Sequence, residues 1–561
     1  MPTFRSNENP MFRSKFSEDI FKHKYEHQSC ETWAALCRIL VEDVCQEMMT
    51  RDEKDQLIQY MIEMKFIPGG RYLYYAGRPN KFFNNCYLLK SESDTREDWA
   101  DLSWKAESCL MTGGGIGNDY SVYRAEGAVL GGTGGLASGP IPKMEMINEI
   151  GRHVMQGGSR RSAIYASLNW KHYDVTKFLY AKDWYHMPVG NTGLSIGDLK
   201  EQDFNFRAPL DMTNISINYD TEWLLNYYKT GDTGETFQAN VKQALSTAEP
   251  GFSFNFFDKE KETLRNACTE VTSEDDSDVC NLGSLNMGRI DSISEFSDIT
   301  DLATKFLLCG TTRAKLPYDK IYKTREKNRR LGLGLMGIHE WLIKKGSKYE
   351  VTPELHQWLS IYKGTSDLVS KSFSSKLAVS RPVANRAIAP TGSIGILAGT
   401  STGIEPIFAT AYKRRYLKNG TRWHYQYVVD SAAAELIDLY GVDPNKVESA
   451  LDLADDYERR IRFQADIQDY VDMSISSTIN LPSWGSKNNN EDTVSKFCNT
   501  LASYASRLRG FTCYPDGARG GQPLTSVPYS EAVDKLGEEF EDNIQSHDIC
   551  EISGTGGVCG V

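Results

Sequence analysis

No apolar run in the chain approaches the ~20 residues that a membrane-spanning helix needs. The opening residues, MPTFRSNENPMFRSKF, lack the apolar stretch of a signal peptide. Both absences predict a cytoplasmic protein with no membrane partner. A basic excess is missing as well: 63 Lys and Arg stand against 75 Asp and Glu, a net charge of −12. That argues against a dedicated nucleic-acid surface. It leaves nucleotide substrates open, because local basic residues and backbone amides bind phosphate within an acidic chain. The nine histidines do not cluster, so no metal site is expected. Internal repeats, low-complexity linkers, a Walker A loop and a Cys-x-x-Cys pair are all absent.

What is present is an ordinary globular composition, 40% hydrophobic, 25% charged and 11% aromatic over 561 residues. That length suits several domains or one large α/β barrel with added helices. Residues 18–66 read as helices, with Trp33, Leu36, Leu40 and Val44 at helical spacing and Cys37 and Cys45 as core thiols. A glycine-punctuated α/β region spans about 67–220, and GFSFNFF at 251–257 alternates like a strand. A helix-rich stretch runs to about 380, a glycine-rich turn occupies 389–405, and amphipathic helices fill much of 425–510. The polar end finishes in GTGGVCGV. Alternating strands and helices predict an α/β architecture.

The 12 cysteines of a cytoplasmic chain are reduced at rest, and any disulfide is then catalytic. Cys268 lies in Asn266-Ala267-Cys268-Thr269-Glu270, where Asn, Cys and Glu at alternate positions would share one face of an extended segment. A carboxylate beside a thiol raises the thiol pKa, which disfavours a thiolate nucleophile. It suits a neutral S–H that donates a hydrogen atom while the carboxylate acts on a substrate hydroxyl. Cys86, in KFFNNCYLLK, and Cys280, in DVCNLGSLNM, flank strand-like apolar residues and, taken alone, read as buried core thiols. Cys550 and Cys559 sit on a glycine-rich terminus, where mobile thiols could exchange with a disulfide elsewhere. The stretch Ala389-Pro390-Thr391-Gly392-Ser393-Ile394-Gly395 has the makings of a phosphate turn, or of a plain strand–helix turn.

Together these segments resemble the catalytic subunit of ribonucleotide reductase along nearly the whole chain. NACTE is similar to the family's Asn-x-Cys-x-Glu motif, and APTGSIGILAGTSTGIEPIF to its substrate-phosphate segment. Gly113 to Gly117 (GGGIG), Arg160-Arg161 in QGGSRRSA, LGLGLMG ending at Gly337 and SSTINLP at 476–482 match further segments in the family's order.

The resemblance implies a ten-stranded α/β barrel with the radical cysteine on a central finger loop. An N-terminal helical region at 1–66, a barrel at 67–525 and a flexible C-terminal tail at 526–561 would make up the chain. The N-terminus is too short for the family's ATP-binding cone.

It also implies roles. Cys268 would carry the thiyl radical, Glu270 would take the 3′-hydroxyl proton, and Asn266 would hydrogen-bond the substrate. Cys86 and Cys280 would supply two electrons, Cys550 and Cys559 would re-reduce them, and Pro390, Thr391, Gly392, Ser393 and Ile394 would hold substrate phosphate. Pro68-Gly69-Gly70-Arg71 departs from the threonines often found in the family. The stretch from Asp183 to Thr213 lies where members link effector to substrate.

The implied partners are a ribonucleotide, a dNTP or ATP effector, a thioredoxin- or glutaredoxin-type reductant, and a second copy in a homodimer. Cys513-Tyr514 stands where members fed by a ferritin-like partner have two tyrosines, leaving only Tyr514 for a radical path. That favours adenosylcobalamin as radical source. The alternative is a metal cofactor in a ferritin-like partner subunit. Outside ribonucleotide reduction, the remaining readings are an inactive nucleotide-binding regulator and a general thiol–disulfide oxidoreductase. The intact cysteine set disfavours the first, and the missing Cys-x-x-Cys the second.

Overall fold

The computed structural model describes residues 12–154, 162–203, 206–418, 422–518, 524–536 and 538–541. Cys550 and Cys559, and Arg160 with Arg161, lie outside the described residues.

The main sheet is built from β1 (Phe66–Pro68), β2 (Cys86–Lys90), β3 (Gly115–Asp119), β4 (Ile164–Asn169), β5 (Thr213–Tyr219) and β6 (Gly251–Phe254). After the short β7 (Leu264–Arg265) and β8 (Thr272–Ser273) it continues with β9 (Asp278–Asn286) and β10 (Leu331–Met336). Beyond β11 (Ala411–Lys418) and β12 (Arg422–Val429), β13 (Thr478–Leu481) and β14 (Gly510–Pro515) complete it.

From β2 to β6 each strand pairs parallel with the next. β10 pairs parallel with β9, and β13 with β14. Parallel bridges Leu333–Arg386 and Ile388–Ile475 carry the ladder from β10 through residues 384–389 to the stretch leading into β13. The sheet therefore closes on itself. Two parallel halves meet antiparallel at two seams, β2 against β9 and β6 against β14. Ten named strands belong to this sheet. β1 only extends β9, and segment 384–389 takes the tenth place in the wall.

Alternation along the strands separates lumen from exterior. In β4, Ile164, Ala166 and Leu168 pack among the outer helices, which turns Tyr165 and Ser167 inward. β9 is buried along its whole length, as a wall strand covered by the helix Ile293–Arg313 must be.

The N-terminal region is helical up to β1. The helix Trp33–Cys45 buries Trp33, Leu36, Cys37, Leu40, Val41, Val44 and Cys45 on one stripe. Thr32 caps it by accepting from the Ala35 N–H. Cys37 and Cys45 are the core thiols the sequence suggested.

The structure departs from the sequence reading in three places. β6 ends at Phe254, and residues 257–259 form a 3₁₀ turn. The stretch from 264 to 336, expected to be helix-rich, holds four strands, including two of the barrel wall. Residues 411–429, partly assigned to helices, form the hairpin β11–β12. Together with β15 (Leu524–Ser526) and β16 (Glu539–Glu541) it makes a separate four-stranded antiparallel sheet. No helix among the described residues is long and apolar enough to cross a membrane.

Candidate active site

Cys86 and Cys280 face each other across the β2–β9 seam as direct register partners. Opposed Cβ atoms of an antiparallel pair stand about 4.5–5.5 Å apart, close to what a disulfide needs. Both thiols are free and buried, in a small lumen cluster with Leu88, Leu264, Val271, Leu282, Ala389 and Met473.

Asn266 and Glu270 reach the same point from the loop between β7 and β8. The Asn266 amide donates to Cys86 Sγ at 3.1 Å, and the Cys86 thiol donates to Glu270 Oε1 at 3.8 Å. The segment is not extended, contrary to the alternation argument. The Thr269 N–H donates back to the Asn266 carbonyl at 2.9 Å, and Thr269 sits in the left-handed region at φ 69°. Asn266 Oδ1 accepts from the Val271 N–H at 2.9 Å, which fixes the turn from inside. Convergence on Cys86 thus comes from a tight turn rather than a strand face. Cys268 rides on this turn half-buried.

Burial raises the Cys86 thiol well above its ordinary value, and Glu270, Cys280 and Cys268 add to the effect in that order. Burial likewise raises Cys280, followed by Asp278 and Glu270. Both stay protonated near neutral pH, as hydrogen donors must. Burial pushes the Glu270 carboxyl up to about 7, against hydrogen bonds from Asn266, its own backbone and Cys86. Glu270 Oε2 is buried with no partner among the described residues, the position from which a substrate hydroxyl would be met.

The loop is braced from beneath. Arg265, fully buried, donates to Asn255 Oδ1 at 2.6 Å and to the Arg509 carbonyl at 3.1 Å. Burial pushes Glu262 up, but Arg509 and Arg330 bring it down to about 2. Its carboxylate holds Arg509 at 2.9 Å and Thr272 at 2.8 Å. GGGIG explains how the loop comes so close to the wall. A Cβ on Gly117 would lie 1.7 Å from the Arg265 carbonyl oxygen, so only glycine admits the approach.

Ala389, beside the cysteines, leads into Thr391 and the helix Gly392–Ala398. Thr391 is left-handed at φ 52°, and its hydroxyl accepts from the Gly403 N–H at 2.8 Å. Among the described residues, Thr269 and Thr391 are the only β-branched residues with positive φ. Such strain persists only where the surrounding structure over-determines it, and it clusters at functional sites. Ser393 and Ile394 open the helix that follows.

Cys513 and Tyr514 point to opposite faces of β14. The Cys513 thiol packs outward and donates to the Ala244 carbonyl at 3.7 Å, and burial pushes it up to about 12. Tyr514 is buried with Ala248 and Ala518. Sequence reasoning missed Arg265, Glu262 and Arg509. Arg265, directly before Asn266, was the available signal.

The family described as "Ribonucleotide reductase, barrel domain" matches residues 84–379 and 381–514. The chain is 26% identical to a vitamin B12-dependent ribonucleoside-diphosphate reductase of Mycobacterium tuberculosis (strain CDC 1551 / Oshkosh), over 90% of this chain and 78% of that protein. It is 27% identical to a protein of the same name from Thermoplasma acidophilum, over 83% of this chain and 66% of the relative. Among solved structures, the Actinobacillus ureae class Id ribonucleotide reductase alpha subunit superposes with a TM-score of 0.69 at 16% identity. That match covers 89% of this chain and 96% of the other, and it bears on the fold.

Proposed function

Since the chain belongs to the ribonucleotide reductase family, we propose that it converts ribonucleotides to 2′-deoxyribonucleotides by thiyl-radical chemistry, with adenosylcobalamin as its radical source. Cys268 abstracts the substrate's 3′ hydrogen and returns it at the end. Glu270 takes the 3′-hydroxyl proton, and Asn266 holds the substrate hydroxyls. The 2′-hydroxyl leaves as water, taking up a proton as it goes. Cys86 and Cys280 together give up two electrons and two protons and become a disulfide. Cys550 and Cys559 then exchange with that disulfide and pass the oxidation to a thioredoxin- or glutaredoxin-type reductant. Pro390, Thr391, Gly392, Ser393 and Ile394 hold the substrate phosphates. The observation that carries the barrel roles is the meeting of Cys86, Cys280, Asn266 and Glu270 at one seam.

The cobalamin reading is supported by the vitamin B12-dependent relatives and by Cys513, which packs away from Tyr514 where a relay would need a second redox-active side chain. Cys268 fits such a group, being half-buried while Cys86 and Cys280 are buried. Asn214, whose amide donates to the Ala267 carbonyl at 3.1 Å, and Thr269 would meet the cofactor beside the thiol. When bound, it supplies the one-electron chemistry that the thiols lack.

A homodimer is supported by the outer helices Arg96–Leu110 and Ile141–His153. They pack on each other and leave Trp104, Met111 and Met146 between 49% and 62% exposed. An ATP or dNTP effector would act through the stretch from Asp183 to Thr213.

The test is an anaerobic assay of purified protein with a ribonucleotide, an effector and a dithiol, with and without adenosylcobalamin. Deoxynucleotide should form only with the cofactor, and Cys268→Ser should abolish it while leaving nucleotide binding intact. Activity that needs a ferritin-like partner instead would overturn the cobalamin reading.

A further inference from the structure

The helix Lys15–Lys24 lies outside the barrel wall, yet it is tied along the helix Gly392–Ala398. The Ser17 hydroxyl donates to the Ile396 carbonyl at 2.7 Å, and Arg13 donates to the Gly399 carbonyl at 2.8 Å. Arg13 is itself anchored by two hydrogen bonds to the buried Glu340, at 2.9 and 2.8 Å. These contacts hold one end of the helix Gly392–Ala398. At its other end, the Lys24 ammonium donates to the Ser393 hydroxyl at 3.2 Å.

The same end of the N-terminal helix also lies beside Gly70, next to a residue bonded to the strand that carries Cys280. The Tyr25 hydroxyl would stand 3.2 Å from a Cβ on Gly70. The neighbouring Gly69 N–H donates to the Leu282 carbonyl at 2.7 Å. Leu282 and Ala389 both pack with Cys86 and Cys280. Ser393 is four residues beyond Ala389, so at most about 14 Å of chain separates it from that cluster. A nucleotide with its ribose at the cysteines would extend its phosphates into this corner. The segment from Ala389 to Gly399 brings no charged side chain of its own.

We propose that Lys24 supplies a cation to the substrate-phosphate site, so that the N-terminal helix completes the nucleotide pocket. This rests on the reading of 390–394 as the phosphate segment. Lys24 is half-buried and follows Lys22 and His23 in the last turn of its helix. A charge-assisted contact to a phosphate oxygen from such a position is strong. Lys24 acts on binding alone, because the reacting carbons lie at the other end of the ribose.

The test compares Lys24→Met, Lys24→Gln and Lys24→Arg. Gln can still donate to Ser393 but carries no charge, whereas Arg keeps the charge. Met and Gln should both raise KM for a ribonucleoside diphosphate about tenfold, with kcat falling less than twofold, and Arg should stay near wild type. Competition by inorganic pyrophosphate should weaken in parallel. Equilibrium binding of ribonucleoside diphosphate and monophosphate, measured by calorimetry without any radical source, should show the loss for the diphosphate and little for the monophosphate. If Gln behaves like wild type while Met does not, the role is structural and the proposal fails. Unchanged diphosphate affinity in both variants also overturns it. Loss of turnover in wild type itself would count against the proposed reaction, whereas the binding arm judges Lys24 independently.

Discussion

Cys86 and Cys280 are direct register partners in the one antiparallel seam between β2 and β9. A cross-strand pair so placed can close a disulfide without moving the backbone far. Pre-reduced enzyme, given substrate but no external reductant, should therefore stop after making one deoxynucleotide per Cys86–Cys280 disulfide formed, plus at most one more per chain from the reduction stored in the tail pair. Peptide mass mapping checks this. Deoxynucleotide formed with both thiols still reduced would refute the assignment, and Cys280→Ser should make none over many turnovers.

Glu270 titrates at about 7 because it is buried, and only its ionised form accepts a proton. The pH profile of kcat/KM should rise through neutrality with an apparent pKa near 7. Stability has the opposite sign. The raised native pKa costs nothing below about 4.5, where the carboxyl is protonated folded or unfolded. The cost grows as pH rises towards 7 and is complete above it, reaching up to roughly 3 kcal/mol. Glu270→Gln should abolish turnover yet melt higher than wild type at pH 8, with the gain fading towards pH 4.5. Equal melting temperatures at both pH values would contradict the buried carboxyl.

Gly117→Ala should be far more damaging than an ordinary glycine replacement. Its Cβ would collide with the Arg265 carbonyl, so the β7–β8 loop must lift from the wall. Loss of at least 100-fold in kcat, with the fold retained by circular dichroism, is the expected result. Wild-type turnover would mean that the loop position is not critical.

Tyr514→Phe distinguishes the radical sources. With adenosylcobalamin the variant should keep most of its activity, because Cys513 packs outward and offers no relay step. A loss of several orders of magnitude would indicate a tyrosine-borne radical path.

Cys550→Ser/Cys559→Ser should lose multiple turnover with thioredoxin but retain it with a small dithiol that reaches Cys86 and Cys280 directly. Rates measured with both reductants separate the tail from the barrel chemistry.

The candidate site was legible through the ordered set of family-like segments, since each segment alone also reads as core thiol, surface loop or plain turn. NACTE, Cys86, Cys280 and the segment from Ala389 to Gly395 stand out as thiols, carboxylate and glycines in short windows. Helical spacing also placed the core stripe from Trp33 to Cys45. The geometry of convergence was not legible. Alternation suggested a shared strand face for Asn266 and Glu270, whereas a left-handed Thr269 folds them together, and φ at one threonine leaves no periodic trace. The pairing of Cys86 with Cys280 depends on a seam between distant strands. The hairpin β11–β12 was obscured because its polar and charged residues imitate an amphipathic helix. Yet RWHYQYVV, rich in aromatic and β-branched residues, carries strand propensity. The Lys24–Ser393 contact spans 369 positions of sequence, beyond any local pattern.

The closed ring also governs when chemistry becomes available during biosynthesis. Cys86 and Glu270, 184 positions apart, meet only once both β2 and the β7–β8 loop are in place. Pairing such distant segments must first overcome their loop-closure entropy. A half-folded chain already carries every reactive group, but scattered. Radical chemistry thus awaits ring closure, and an immature molecule has no assembled centre in which a thiyl could be generated and misdirected.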